Sequence, residues 1–308
     1  MTMEESGNIY AQLLREQGKY VITVEGVDWY EYQGFMVSAY LPHCCPVIRR
    51  ELADKVLRIS GKPFVRWDSG FGQVKNGQWW YVVRKEPWSL EQCSGNTRSK
   101  IRRGRKRLFA RVITPEEVLK WGYEVCRKAA TRYEKSGFVP PRDVYEKKIQ
   151  AVGHVGGVLE FFGVFFDKQL VGYSENYIQN NAAFWESIWY HPEFLPKYSS
   201  YVLLDEMLNY YLNNRKLLYV SDGSRSIYHK TQVQDFLIKV FGFTKVYAVL
   251  NVAYSTKFAI GMHMAYPFKR LVWHLCGHYT NSTLHKVGAV LKQEYIKRAC
   301  KKVKVVVG

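Results

Sequence analysis

The sequence predicts an α/β fold with a mixed central sheet flanked by helices, and three observations carry that expectation. Between residues 158 and 254, short runs rich in branched and aromatic residues alternate with segments whose apolar positions fall at helical spacing. Turn signals such as Asp167-Lys168 separate the runs. The composition is that of a core-forming chain: 308 residues, 47% hydrophobic and 16% aromatic, enough for one large domain or two ordinary ones.

Residues 9–17 read as a short helix, 19–24 as a strand, 29–40 as a second strand and 46–57 as a short helix or turn. Residues 64–67 and 78–84 look like strands around the glycine-rich stretch 69–77, which suits a hairpin or loop and is followed by no Walker pattern. Residues 97–109 read as a helix despite Gly104. Thr114-Pro115-Glu116-Glu117 then makes a good helix start, with a hydroxyl cap, proline at the first position and acids in the first turn. That helix is expected to run to residue 135 and stop near Ser136-Gly137, and 143–152 forms another. The runs 158–166 and 170–178 form a hairpin, and 182–189 is a third strand. Residues 191–200 are a loop, 201–211 a helix and 217–220 a short buried strand. A helix at 232–240 ends at Gly242, a strand follows at 245–251, and the chain from 267 onward is mostly helical. The expected division is an N-terminal α/β region (1–150), an α/β domain (151–261) and a basic helical tail (262–308).

Lys and Arg total 45 against 27 Asp and Glu, for a net charge of +18. The excess is local: residues 98–111 hold eight basic residues and no acid, and 262–308 hold nine with one acid. Localised charge points to a phosphate-rich cofactor, a nucleic acid or a membrane surface, or more simply to a solvated basic face. In the first stretch the candidate polyanion ligands are Arg98, Lys100, Arg102, Arg103, Arg105 and Lys106. The six cysteines are irregularly spaced without a CxxC pair, which argues against a zinc site and a disulfide framework. His274 and His278 are four apart but lack an evident third ligand, so no metal is expected. The N-terminus has no apolar signal core and no stretch has the length of a membrane span, so the expected location is cytoplasmic.

The order hairpin, strand, loop, helix, strand, helix ending in Phe241-Gly242-Phe243, strand resembles the acetyl-CoA-dependent N-acyltransferase (GNAT) fold. Phe161-Gly163-Val164-Phe165 and Leu170-Val171-Gly172-Tyr173 match the hairpin, and Trp185-Glu186-Ser187-Ile188-Trp189 the strand before the loop. The resemblance implies that this loop and the helix N-terminus cradle the pyrophosphate of an acyl donor such as acyl-CoA, since free backbone N–H groups attract phosphate. In place of the family's glycine-rich loop the chain has Leu195-Pro196-Lys197-Tyr198-Ser199-Ser200, where Lys197, Ser199 and Ser200 become the donor-binding candidates. The segment from Asn96 to Lys106 is similar to the basic segment of the Fem-type peptidoglycan aminoacyltransferases, which carry two copies of this fold and use aminoacyl-tRNA. The N-terminal strands would then form a degenerate first copy. The resemblance spans roughly residues 82–254. It implies transfer of an acyl or aminoacyl group to an amine from acyl-CoA or aminoacyl-tRNA. The alternative is a non-catalytic module that holds nucleic acid or another polyanion on a degenerate copy of the fold.

Acyl transfer to an amine needs a proton acceptor and donors for the developing oxyanion. Residues 221–231 offer an acid, hydroxyls, a guanidinium and an imidazole between a buried strand and a helix. Here Asp222 or His229 is the candidate base and Arg225 the candidate anion ligand; the plainer reading is a turn capped by its own Asp and Ser, with Thr231 as the next helix cap. Glu186 is a second candidate base, and Glu175 a comparable one; strand alternation is the commoner explanation of each. His43-Cys44-Cys45 carries a thiol pair without a nucleophile signature.

Overall fold

The computed structural model describes residues 3–131, 139–227, 232–278 and 282–300. The chain begins with α1 (Met3–Glu16), the strands β1 (Val21–Val24), β2 (Val27–Tyr32) and β3 (Phe35–Ser38), and α2 (Arg50–Ser60). The strands β4 (Phe64–Val74) and β5 (Trp80–Arg84) lead to α3 (Gly95–Arg105), β6 (Leu108–Ile113), α4 (Pro115–Ala130) and α5 (Arg142–His154). Then come β7 (Leu159–Phe166), β8 (Gln169–Gln179), β9 (Ala182–Tyr190), α6 (Ser199–Leu208), β10 (Tyr219–Ser224), α7 (Gln232–Phe241) and β11 (Thr244–Tyr254). Three helices close the chain: α8 (Thr256–Ala265), α9 (Lys269–His278) and α10 (Ser282–Cys300). The end expected for the helix after Thr114 lies outside the described residues.

Two compact units emerge, each built from separated segments: Met1–Gly18, Val82–Gly223 and Asp235–Thr244 in the first, and Lys19–Tyr81, Ser224–Gln234 and Lys245–Gly308 in the second. In the first, the strand order is β10-β9-β8-β7-β6. The pair β9–β10 is parallel and the others antiparallel, so the sheet is mixed. Neighbouring residues on a strand point to opposite faces. The Tyr173 hydroxyl lies 3.0 Å from that of Tyr145 on α5, whereas Ser174 Oγ donates to Met207 Sδ on α6 at 3.3 Å. Helices α5 and α6 therefore cover opposite faces, as the sequence predicts.

In the second unit β1, β2 and β3 form an antiparallel meander, β4 runs parallel to β3, and β11 pairs antiparallel with β4. Its core joins Trp29, Met36, Val65 and Ala253 to Leu52, Ala53, Val56 and Leu57 of α2.

Several expectations are corrected. Residues 29–40 are two strands, because Gln33 and Gly34 turn the chain at positive φ. The segment 97–109 is a helix only to Arg105; Leu108 begins a strand held by pairing with β7. The glycine-rich stretch after residue 67 is mostly strand, since β11 supplies its hydrogen-bond partners through Ser69 and again at Val74. Ser221-Asp222-Gly223-Ser224 is also strand rather than loop.

Candidate functional site

Helix α6 starts at Ser199, where the sequence places the donor loop. Its cap residue, Tyr198, sits in the left-handed region (φ 70) and makes no side-chain capping bond. The first amides of a helix have no carbonyl one turn earlier, so this end is a concentration of free N–H groups and positive dipole. Ser199 is fully buried (0% exposed), and no described protein group hydrogen-bonds its Oγ.

Helix α3 lies against this turn. A Cβ on Gly104 would sit 2.6 Å from Val202 Cγ2 and 3.3 Å from Tyr198 Cβ, so the approach requires glycine. Three basic side chains of α3 are thereby laid along α6. The Arg103 guanidinium lies 5.0 Å from the centre of the Tyr198 ring, and Lys100 Nζ lies 5.3 Å from that of Tyr201 and donates to its hydroxyl at 3.4 Å. Arg105 pairs with Asp205, which is 1% exposed and also accepts from Trp88 Nε1 at 2.9 Å. Burial raises the Asp205 pKa, while the Trp88 and Arg105 contacts work in the other direction.

The other basic candidates divide. Arg98 donates to the carbonyls of Glu91 and Cys93, whereas Arg102 and Lys106 are exposed. Arg111 lies on β6, bound to Glu117 and stacked on Phe165 at 4.7 Å, so it is no part of an open basic face. Lys197 Nζ sits 4.4 Å from the centre of the Phe194 ring and 4.5 Å from that of Phe166, beside the α6 turn. Ser200 is the second residue of α6 and half-buried.

The strands that precede and follow α6 in the chain, β9 and β10, fork. The β9–β10 pairing covers only Ala182–Phe184 against Tyr219–Ser221, yet β9 continues to Tyr190 and β10 to Ser224. Ser221 Oγ donates to Val82 O at 3.0 Å and fixes β10 at the fork. Along the free part of β9, Trp185 Nε1, Ser187 Oγ and the Tyr190 hydroxyl are buried with no hydrogen-bond partner among the described protein groups. Buried polar atoms left this way cost about 1–3 kcal/mol each unless water or a ligand meets them. Asp222 stands close enough to Tyr190 to act on it: burial, and behind it the Asp222 charge, push the phenol pKa well above its ordinary value.

Glu186 occupies the bulge in β9, where the register with β8 shifts between Glu175 and Asn176, and is exposed. It contributes to a charged group on the α5 side of the sheet. There Lys148 pairs with Glu175, which is 2% exposed. Burial works against the Lys148 ammonium, but Glu175 and Glu186 outweigh it and hold its pKa above the usual lysine value. Glu175 is thus a paired structural carboxylate.

Arg225 belongs to the second unit. Its amide donates to Trp80 O at 2.8 Å, its Nη1 to Gln78 O at 2.9 Å, and its guanidinium lies 4.2 Å from the centre of the Trp80 ring. His229 and Thr231 lie outside the described residues. Burial raises the Cys44 and Cys45 pKa values to about 12, which keeps both thiols protonated and unreactive. Among the described residues no cluster of His, Cys, Asp and Glu could hold a metal ion, and no helix is long and apolar enough to cross a membrane. Sequence reasoning missed Tyr190, Tyr198 and Tyr201; the signal for them was their place at the end of the strand, in the loop and at the start of the helix around the expected donor site.

No protein-family model matches the chain, and no curated protein matches it in sequence. Solved structures do. FemX is similar with a TM-score of 0.53 at 11% identity, over 80% of this chain and 94% of its own. L-PGS from Bacillus licheniformis gives 0.52 at 12% identity, over 93% and 92%. The C-terminal domain of a putative lysylphosphatidylglycerol synthetase from Agrobacterium fabrum gives 0.51 at 10% identity, over 87% and 98%. At these identities the likeness is one of fold: the chain has a GNAT-like α/β fold, similar to that of FemX.

Proposed function

We propose that the chain transfers an acyl or aminoacyl group from a phosphate-bearing donor to an amine. The observation that carries this reading is the seating of Lys100 and Arg103 on Tyr198 and Tyr201, around the uncapped start of α6. Two fixed cations and a helix N-terminus make a phosphate site. The β9–β10 fork, with its unpartnered polar atoms, accepts the reacting end of the donor. Asp222 takes the proton of the attacking amine. The amine attacks the donor carbonyl, and the C–O or C–S bond to the donor breaks. Asp222 returns that proton to the departing oxygen or sulfur, while the Tyr190 hydroxyl, kept protonated by its raised pKa, serves as a hydrogen-bond donor there. The donor is acyl-CoA or aminoacyl-tRNA, and the acceptor is an amine of unassigned class.

Transfer assays with acetyl-CoA and with charged tRNA decide the donor. Exchanging Lys100 and Arg103 for Ala should weaken tRNA binding and lower the log–log salt slope by about 0.7 to 0.9 for each phosphate no longer neutralised. Asp222→Asn should reduce turnover on the order of a hundredfold while leaving donor affinity in place. An unchanged salt slope together with undiminished transfer would sink the assignment. Binding of tRNA without transfer from any donor would replace it with the polyanion-holding alternative.

A further inference from the structure

Helices α8 and α9 leave a row of large apolar side chains in solvent. Ile260 is 58% exposed, Met264 68%, Phe268 62% and Leu271 56%. They follow one another at intervals of four, four and three residues along a run that is helical from Thr256 to His278, with one tight turn at Tyr266–Phe268. Those intervals keep side chains on one side of a helix.

The opposite side of the run is already used. Phe258 packs 5.7 Å from both Phe64 and Tyr254, and Met262 is buried. Trp273 Nε1 donates to Gly288 O at 3.2 Å, Trp273 meets Tyr295 edge-on at 5.9 Å, and Cys276 Sγ donates to Leu284 O at 3.4 Å. The hairpin of α9 and α10 is therefore internally satisfied, and the exposed row is surplus to it. The row is long, continuous and unlike the scattered single apolar residues of an ordinary surface.

Along this part of the chain the charge is one-sided. From residue 236 to residue 293 the chain has no Asp or Glu, while Lys257, Lys269, Arg270, Lys286 and Lys292 fall within that span. Lys257 and Arg270 are exposed beside the row. A partner protein with an apolar groove would need no such exclusion of acids. A bilayer bearing anionic headgroups matches both features, since it accepts an apolar helix face about 5–10 Å deep and attracts flanking cations. We propose that the α8–α9 face lies in the interface of an anionic phospholipid membrane, with Ile260, Met264, Phe268 and Leu271 in the acyl boundary and Lys257 and Arg270 at the headgroups. This assignment stands independently of the transferase reading.

The test is flotation of the whole chain with vesicles of phosphatidylcholine alone and of equal parts phosphatidylcholine and phosphatidylglycerol. Binding is expected only to the anionic vesicles, and it should weaken with added salt. A variant with Ile260, Met264, Phe268 and Leu271 all changed to Ser should partition on the order of a hundredfold less. Its circular dichroism should match the parent and its melting temperature should change little, because each of the four residues is more than half exposed. Exchanging Lys257 and Arg270 for Gln should lower partition by about fivefold each. Failure of the parent to float with anionic vesicles, or undiminished flotation of the serine variant, overturns the proposal. A solution dimer that the serine variant dissociates, without vesicle binding, assigns the face to a second copy of the chain instead.

Discussion

Gly104→Ala separates the seating of α3 on α6 from ordinary helix chemistry. In a free helix the change would stabilise by about 1 kcal/mol, because glycine is the weaker helix former. Here the new methyl would stand 2.6 Å from Val202 Cγ2, 3.3 Å from Tyr198 Cβ and 3.5 Å from Tyr198 O. None of these can retreat easily: Val202 is 3% exposed, its branched side chain has one favoured rotamer in a helix, and the Tyr198 atoms are backbone or next to it. Overpacking of that kind costs about 1–3 kcal/mol, so the net loss should be on the order of 1 kcal/mol, or about 2–4 °C in melting temperature. Donor affinity should fall with it, because α3 must move outward and carry Lys100 and Arg103 away from Tyr201 and Tyr198. Denaturant titration of Gly104→Ala, Val202→Ala and the double variant reads the effect directly. Removing the valine methyls makes room, so the pair should couple by about 1–2 kcal/mol in the favourable direction. A Gly104→Ala protein more stable than the parent, with no coupling to Val202, would refute the close approach and with it the placement of the cations.

Two further predictions address the other packing devices. Gly242 has φ 67, and a Cβ there would lie 2.3 Å from Arg84 Nη1, which donates to Phe241 O at 2.8 Å; Gly242→Ala should cost about 2–3 kcal/mol by thermal denaturation, well above a surface substitution. Glu294 is the pH-sensitive case. Burial alone would raise its pKa, but donation from Arg298, Lys297 and Tyr254 outweighs burial and holds it below the usual glutamate value. Because the folded pKa is depressed, the stabilisation is fully present above the unfolded value of about 4.3 and is lost as pH falls through the folded value. Glu294→Gln should therefore cost about 1–3 kcal/mol near neutrality, and urea titrations should show the gap to the parent closing below about pH 4. A gap independent of pH would mean that the charge is not what matters there.

The hairpin and third strand between residues 158 and 190 were legible because alternation and a two-residue turn are local signals; Asp167, at φ 52, makes that turn as its sequence suggests. Strand β6 was hidden because the basic run of α3 continues through Lys106 and Arg107 to Arg111 within it, and pairing with β7 and the stacking of Phe109 on Phe165 at 5.1 Å define it. The stretch Ser221-Asp222-Gly223-Ser224 has a turn composition, yet Ser221 Oγ both donates to Val82 O and accepts from Gly223 N, which satisfies the backbone in an extended form. For the site, the sequence supplied residue types but not company. Nothing local tells that Lys100 meets Tyr201 while Arg105, five residues on, is consumed by Asp205.

The anchoring of α3 also sets an order of events in synthesis. Its partners come much later in the chain: Lys100 meets the hydroxyl of Tyr201, 101 residues downstream, and Arg105 pairs with Asp205. At the usual 5–20 residues per second, roughly 5 to 20 s pass between the emergence of Lys100 and that of Tyr201. During that interval the arginine-rich segment leaves the ribosome undocked, beside a surface made largely of RNA. A chain stopped before residue 205 would therefore carry the cations without the helix that orders them.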